Sequence, residues 1–291
     1  MSEASRPRDI SAPGAAGDDR DDASPIDRLK EKILSDYERM SLDDGFAFGC
    51  HPGVPCFNEC CGDVNIFLTP YDVLRMKNAL GMGSAEFLER YTQIPIERNQ
   101  AFPVVMLKLD DAAEGKPCQL VGDRGCSIYN DRPWPCRMYP LGLASPKDKD
   151  AKDFYFLMKE DVCRGFEESG RWTVREWLED QGIGPYDEFG RLFKEITLHD
   201  YFGTGRKLTP ERLELFYMAC YDLDSFRRFV FRSTFLKRFD LEPDLIERIR
   251  DDDEELLRFA FRWLKLALFG EPTVKIRPDA MPPAAMAPKD A

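Results

Sequence analysis

Histidine is nearly missing from this chain, with two in 291 residues. Thiolate is therefore almost the only soft metal ligand on offer. Long apolar runs are missing too: no stretch of about 18 residues is free of charge, which excludes a membrane-spanning helix. No basic run occurs either, and 41 Lys+Arg face 53 Asp+Glu for a formal net charge of -12. So acidic a chain has little attraction for phosphates, so nucleic acid is excluded as a partner. The opening MSEASRPRDISAPGAAGDDRDD lacks the apolar centre of a secretory signal. A cytoplasmic protein is expected. Neither a G-x-G-x-x-G nor a G-x-x-x-x-G-K-[ST] phosphate loop is present, nor a G-x-S-x-G elbow.

Cysteine is what the sequence does have. There are nine, and eight of them, Cys50, Cys56, Cys60, Cys61, Cys118, Cys126, Cys136 and Cys163, fall in one stretch. A chain of this length has apolar material enough for a core (43% hydrophobic) and needs no disulfide staples. In a reducing compartment such a cluster points to a metal or redox centre. All-thiolate sets select zinc, iron–sulfur clusters or Cu(I) over magnesium or calcium.

The first group reads Cys50-x5-Cys56-x3-Cys60-Cys61, in a loop broken by Pro52, Gly53, Pro55 and Gly62. Such turns let several thiols converge from one segment. Neighbours such as Cys60 and Cys61 do not readily chelate one ion through both sulfurs. One can serve a first centre while the other serves a second, or donates to a bound sulfur. The second group is Cys118-x7-Cys126-x9-Cys136, with Cys163 further on. Arg132 and Arg137 offset the charge of several thiolates there, and Arg137 beside Cys136 is expected to favour its thiolate. The bacterial ferredoxin run C-x2-C-x2-C-x3-C is absent. A radical-SAM C-x3-C-x2-C would need cysteine where Asp63 stands.

These residues resemble a known family. Cys50, Cys56, Cys60 and Cys61, then Ile66, Leu68 and Thr69, then Cys126, Ile128, Tyr129, Arg132, Pro133, Cys136, Arg137, Tyr139 and Pro140 follow the order of the YkgJ-type CxxCxxCC cysteine-cluster family. The resemblance spans roughly residues 48–170, with Cys118 and Cys163 at positions where the family commonly has further cysteines. Gaps of five and three replace the usual two and two. The resemblance implies zinc or iron chelation, with a 4Fe–4S-type cluster expected ahead of zinc and all eight cysteines as ligands. Its implied role is structural, metal-carrying or adaptor. The alternative is an iron–sulfur oxidoreductase-like enzyme or a relative of the flagellin lysine-N-methylases, which look similar in their cysteines.

The expected architecture is α+β. A disordered tail (1–24) precedes a cysteine-rich metal-binding domain of short strands and loops (25–170), then an all-helical extension (171–271) and a disordered tail (272–291). Helices are expected at 26–37, after Thr69-Pro70, after Ser84 as N-cap, and repeatedly from Thr173 to Gly270. AFPVVMLKLD and DFYFLMKE read as strands. His51 reads as a loop residue and Cys220 as a packed thiol. The acidic run 251–255 reads as an exposed helix face. The stripe Phe226, Phe229, Phe231, Phe235 and Phe239 reads as core, and a protein partner is expected at the helical extension.

Overall fold

A computed structural model describes residues 37–95, 101–144, 153–203 and 205–278. The expected N-terminal tail and nearly all of the helix expected at 26–37 lie outside the described residues, as does most of the Lys-rich loop before Phe154.

Helix starts follow the capping chemistry of the sequence. Thr69 and Asp72 form a reciprocal capping box, and Pro70 opens the helix Pro70–Ala79. Thr173 and Glu176 repeat the device for Val174–Asp180. The helix Ser84–Tyr91 differs from expectation, since Gly83 holds the N-cap position. Ser84 is instead drawn sideways: its amide donates to Asp224 Oδ2 at 2.7 Å, and its hydroxyl accepts from the Asp224 amide at 3.2 Å. This buried exchange ties the cysteine-bearing half to the helical half.

Among the described residues the strands are short and form five small antiparallel units. β2 (Phe67–Leu68) and β3 (Thr92–Gln93) flank the buried β4 (Val105–Leu107). β5 (Val121–Gly122) and β6 (Gly125–Cys126) make a tight hairpin whose Gly125 sits at φ 96°, a conformation suited to glycine. β7 (Leu141–Ala144) pairs with β8 (Phe154–Leu157), and β1 (Gly45–Ala47) pairs with β9 (Arg171–Thr173).

Further helices among the described residues include Gly184–Thr197, Asp200–Gly203, Pro210–Cys220, Leu223–Arg232, Phe235–Arg238, Pro243–Asp251 and Asp253–Leu264. The mixture of helix and strand agrees with the α+β class. The apolar pattern after Pro243 is broken at Asp252 into two helices. Asp252 leaves helical geometry (φ -102°, ψ 119°) and caps the second helix by accepting from the amides of Glu254 and Glu255. Acidic residues at that N-terminus suit the helix dipole. The run 251–255 is not simply an exposed face. Asp253 takes Lys77 Nζ at 2.9 Å and Arg227 Nη2 at 2.6 Å, and Lys77 is only 4% exposed.

Residues 272–278 correct the expected C-terminal tail. Val274 is buried, Thr273 bonds to the Arg262 carbonyl at 2.6 Å, and β11 (Lys275–Ile276) pairs with β10 (Phe239–Asp240). Pattern analysis overlooked it because two strand residues carry no periodicity. The rest of that tail lies outside the described residues.

One large core runs from Leu68 to Ile128 and on through Tyr186 to Val274, so the cysteine-bearing half and the helices share it. Phe226 and Phe235 are fully buried in it, and Cys220 is a packed thiol that burial pushes well up in pKa. A second core gathers Phe46, Phe48, Met138, Leu141, Val174, Trp177 and Ile183.

Asp72 links helix start to cysteine loop. It is fully buried, accepts from Thr69 N and Thr69 Oγ1 (both 2.7 Å), and takes the Trp134 amide at 2.7 Å. Asp72→Ala strands these donors, and the lost cap and unsatisfied amides should together cost on the order of 3 kcal/mol. Urea unfolding of the metal-free chain should show a lower midpoint with an unchanged slope. A loss below about 1 kcal/mol would remove Asp72 from this role.

Candidate metal centre

The eight clustered cysteines come from turns, a 3-10 turn (Glu59–Cys61), the β5–β6 hairpin and the five-residue helix Trp134–Met138. None lies on a long regular element, so tertiary hydrogen bonds must hold them.

Cys50, Cys56, Cys60 and Cys163 line one cavity with Phe48, Val54, Tyr139 and Val162. Backbone bonds bring its two walls together: Phe48 N donates to Gly170 O at 3.0 Å and Gly49 N to Gly165 O at 2.9 Å. The approach is close enough to require glycine. A Cβ on Gly165 would stand 2.7 Å from Gly49 O and from the Phe48 ring. The Arg164 amide donates to Cys56 Sγ at 3.0 Å. Desolvation first, then the neighbouring Cys60, Cys163 and Cys56, push the Cys50 thiol up to about 11.

Cys61, Cys118, Cys126 and Cys136 form the other set. The Cys118 amide donates to the Cys61 carbonyl at 2.8 Å, and Gly62 bridges to Pro117. A Cβ on Gly62 would meet Gly115 O at 2.4 Å, so only glycine lets these strands approach. Cys126 pairs with Val121, whose amide bonds the Cys118 carbonyl. The amides of Leu120 and Ile128 donate to the sulfurs of Cys118 and Cys126, two residues upstream of each. Cys136 joins this set electrostatically: desolvation, then Cys118 and Cys126, push its thiol up to about 12. Cys60 and Cys61 meet at the seam. The Cys61 thiol bonds toward Cys60, which lowers Cys60 to about 7 and raises Cys61.

The helix carrying Cys136 is held on every side. Trp134 donates its amide to Asp72 and its indole Nε1 to Asp187 at 2.8 Å. Arg137, 8% exposed, donates to the carbonyls of Arg132 (3.0 Å), Asn130 and Gln181. Its guanidinium also lies over the Tyr186 ring at 4.7 Å. This corrects the charge-tuning role expected of Arg137, whose donors are spent on backbone. Arg132 takes that role, since its charge favours the thiolates of Cys50, Cys126 and Cys136. It stacks on Tyr129 at 3.8 Å and donates to Gln181 Oε1.

Fit to a soft metal rests on the donors. Both sets are sulfur alone, and backbone N–H groups aim at three of the sulfurs, as bound thiolates require. Each set also has a buried donor without a full hydrogen bond: Arg132 Nε near Cys126 and Cys136, and the Tyr139 hydroxyl, which faces Cys163. Among the described residues no three Cys, His, Asp or Glu are already disposed to hold an ion. The thiols would thus have to turn inward onto a metal, which positions on loops permit. His51 is on the loop surface: its Nε2 lies 3.3 Å from Glu168 and its Nδ1 accepts from the Gly53 amide.

Sequence reasoning missed the support around the sulfurs. Tyr139 appeared only within a motif, while Asp72, Asp187, Gln181 and the Arg164 amide carried no signal, because each acts from another part of the chain.

Residues 49–167 match the CxxCxxCC family model, described as a "putative zinc- or iron-chelating domain". The matched stretch contains all eight clustered cysteines, and the helices after Asp180 lie beyond it. No curated protein and no solved structure matches the chain.

The thiol pKa values order reactivity in the metal-free protein. Cys60 is half ionised near 7 and gains thiolate as pH rises, whereas Cys50 needs about 11 and Cys136 about 12. Limited iodoacetamide labelling at neutral pH, read by peptide mass spectrometry, should mark Cys60 at least roughly tenfold ahead of Cys50. Equal labelling would overturn the Cys61-to-Cys60 hydrogen bond.

Proposed function

We propose that this chain is a cysteine-ligated metal-binding protein that holds an iron–sulfur centre, with zinc the next choice, in a structural, metal-carrying or adaptor role. The observation that carries the reading is the gathering of four thiols around one cavity, backed by amides that donate to sulfur. Thiolate-only ligation suits iron–sulfur and zinc alike. Cys56-x3-Cys60 is within the range of zinc pairs, but the longer gaps before Cys56 and on both sides of Cys126 favour the cluster, because structural zinc sites usually keep short paired spacings. N–H···S bonds of the kind made by Arg164 are a recognised means of setting cluster potentials.

A holding role is preferred to an enzymatic one because the chain carries no recognisable nucleotide or nucleophile motif beside its cysteines. Binding would also brace loops with little regular structure of their own. The reading places the protein in the cytoplasm, where a reducing milieu keeps the thiols available.

Anaerobic purification followed by iron, zinc and acid-labile sulfide analysis tests it. Brown protein with labile sulfide is the expected result. Colourless protein with stoichiometric zinc would replace iron–sulfur with zinc, and metal-free protein would end the metal reading. Cys126→Ser should lower the metal content, and unchanged content would remove Cys126 from the ligand set.

A further inference from the structure

We infer that the eight cysteines build two separate metal centres of unequal lability. The outer centre, on Cys50, Cys56, Cys60 and Cys163, exchanges its metal, and the inner one, on Cys61, Cys118, Cys126 and Cys136, retains it. This division rests on the metal-binding reading above and adds to it the site from which metal is handed over.

The partition follows the backbone. The outer four share a cavity wall to which none of the inner four contributes. Cys61, Cys118 and Cys126 are joined by a different set of contacts, the Cys118–Cys61 amide bond and the β5–β6 hairpin, and Cys136 stands near enough to all three to feel their charge. The packing also separates them: Cys118 and Cys126 pack against the large core, while Cys163 packs against the small one. Cys60 and Cys61 are the point of division, the first lining the cavity and the second backed by Cys118.

Lability follows from what holds each set. The outer loop exposes Cys50, and Val162 at the cavity wall is 42% exposed. Its walls are bends and turns joined by a few backbone bonds, a kind of structure that opens locally at low free-energy cost. The inner set is pinned by the Asp72–Trp134 and Trp134–Asp187 bonds and by the Arg137 carbonyl bonds. Opening it means breaking buried contacts of the core. A competing thiol can therefore reach an outer metal, bond to it and give its proton to the protein thiolate it displaces. The natural acceptor is another cysteine-rich site.

The test uses the full chain, purified anaerobically with its metal and challenged with excess pyridylazoresorcinol, a chromophoric chelator. Wild-type protein should release metal in two phases of equal amplitude with rates at least tenfold apart. Cys163→Ser should halve the metal and remove the fast phase, and Cys126→Ser should halve it and remove the slow one. Release in a single phase, or loss of all metal from either variant while its circular dichroism stays native, would overturn the division. Should a variant fail to fold, the wild-type phases decide. Wild-type protein that releases its metal in one phase sinks the division alone, while protein that carries none sinks the metal reading and the division with it.

Discussion

The sulfur-bearing loops depend on one buried guanidinium. Arg137 has almost no solvent access, and its charge acts on the buried Asp72 carboxylate without a direct ion pair being recorded among the described residues. It spends its donors on the carbonyls of Asn130, Arg132 and Gln181. Those carbonyls lie in a loop and at a helix end, where the backbone leaves acceptors unpaired. A buried cation whose donors are met by backbone carbonyls is costly to disturb, because removing it strands several acceptors at once. Lysine is no substitute, since a single ammonium lacks the planar fork. With Arg137 in place, residues 130–138 have one geometry, and Cys136 and Arg132 inherit it.

That arrangement changes what counts as the cysteine domain. The family match ends at residue 167, yet Gln181, Tyr186 and Asp187 contact the Arg132–Arg137 segment from beyond it. The helices after β9 are therefore part of how the inner sulfurs are positioned. The same helices close the large core over the helix Pro70–Ala79, through Tyr71 stacked on Phe189 at 4.2 Å and Lys77 paired with Asp253. Aromatic stacking and a buried ion pair bind two stretches of chain that composition alone would separate.

Local chemistry was legible in the sequence and tertiary chemistry was not. Thr69-Pro70 announced its helix because a cap acts within three residues, and the proline- and glycine-broken loop announced that Cys50, Cys56 and Cys60 could reach one cavity. Ser84 misled for the opposite reason. Its hydroxyl suits an N-cap, but a carboxylate 140 positions away claims it. Arg137 misled similarly: standing next to Cys136 suggested electrostatic service, whereas its length carries the charge to carbonyls elsewhere. The acidic run after Arg250 read as solvated because a net count of charge does not reveal that Lys77 and Arg227 converge on Asp253.

The junction at Cys60 and Cys61 has a geometric consequence of its own. Consecutive Cα atoms stand about 3.8 Å apart whatever the surrounding loops do. The spacers before Cys56, before Cys126 and after Cys136 can lengthen or shorten, as loops on a surface readily do. One covalent step between the two residues keeps the two sulfur sets in contact through every such change. The dipeptide works as a fixed joint in an otherwise elastic frame, so insertions can remodel the rim of either set without altering how far apart the sets stand.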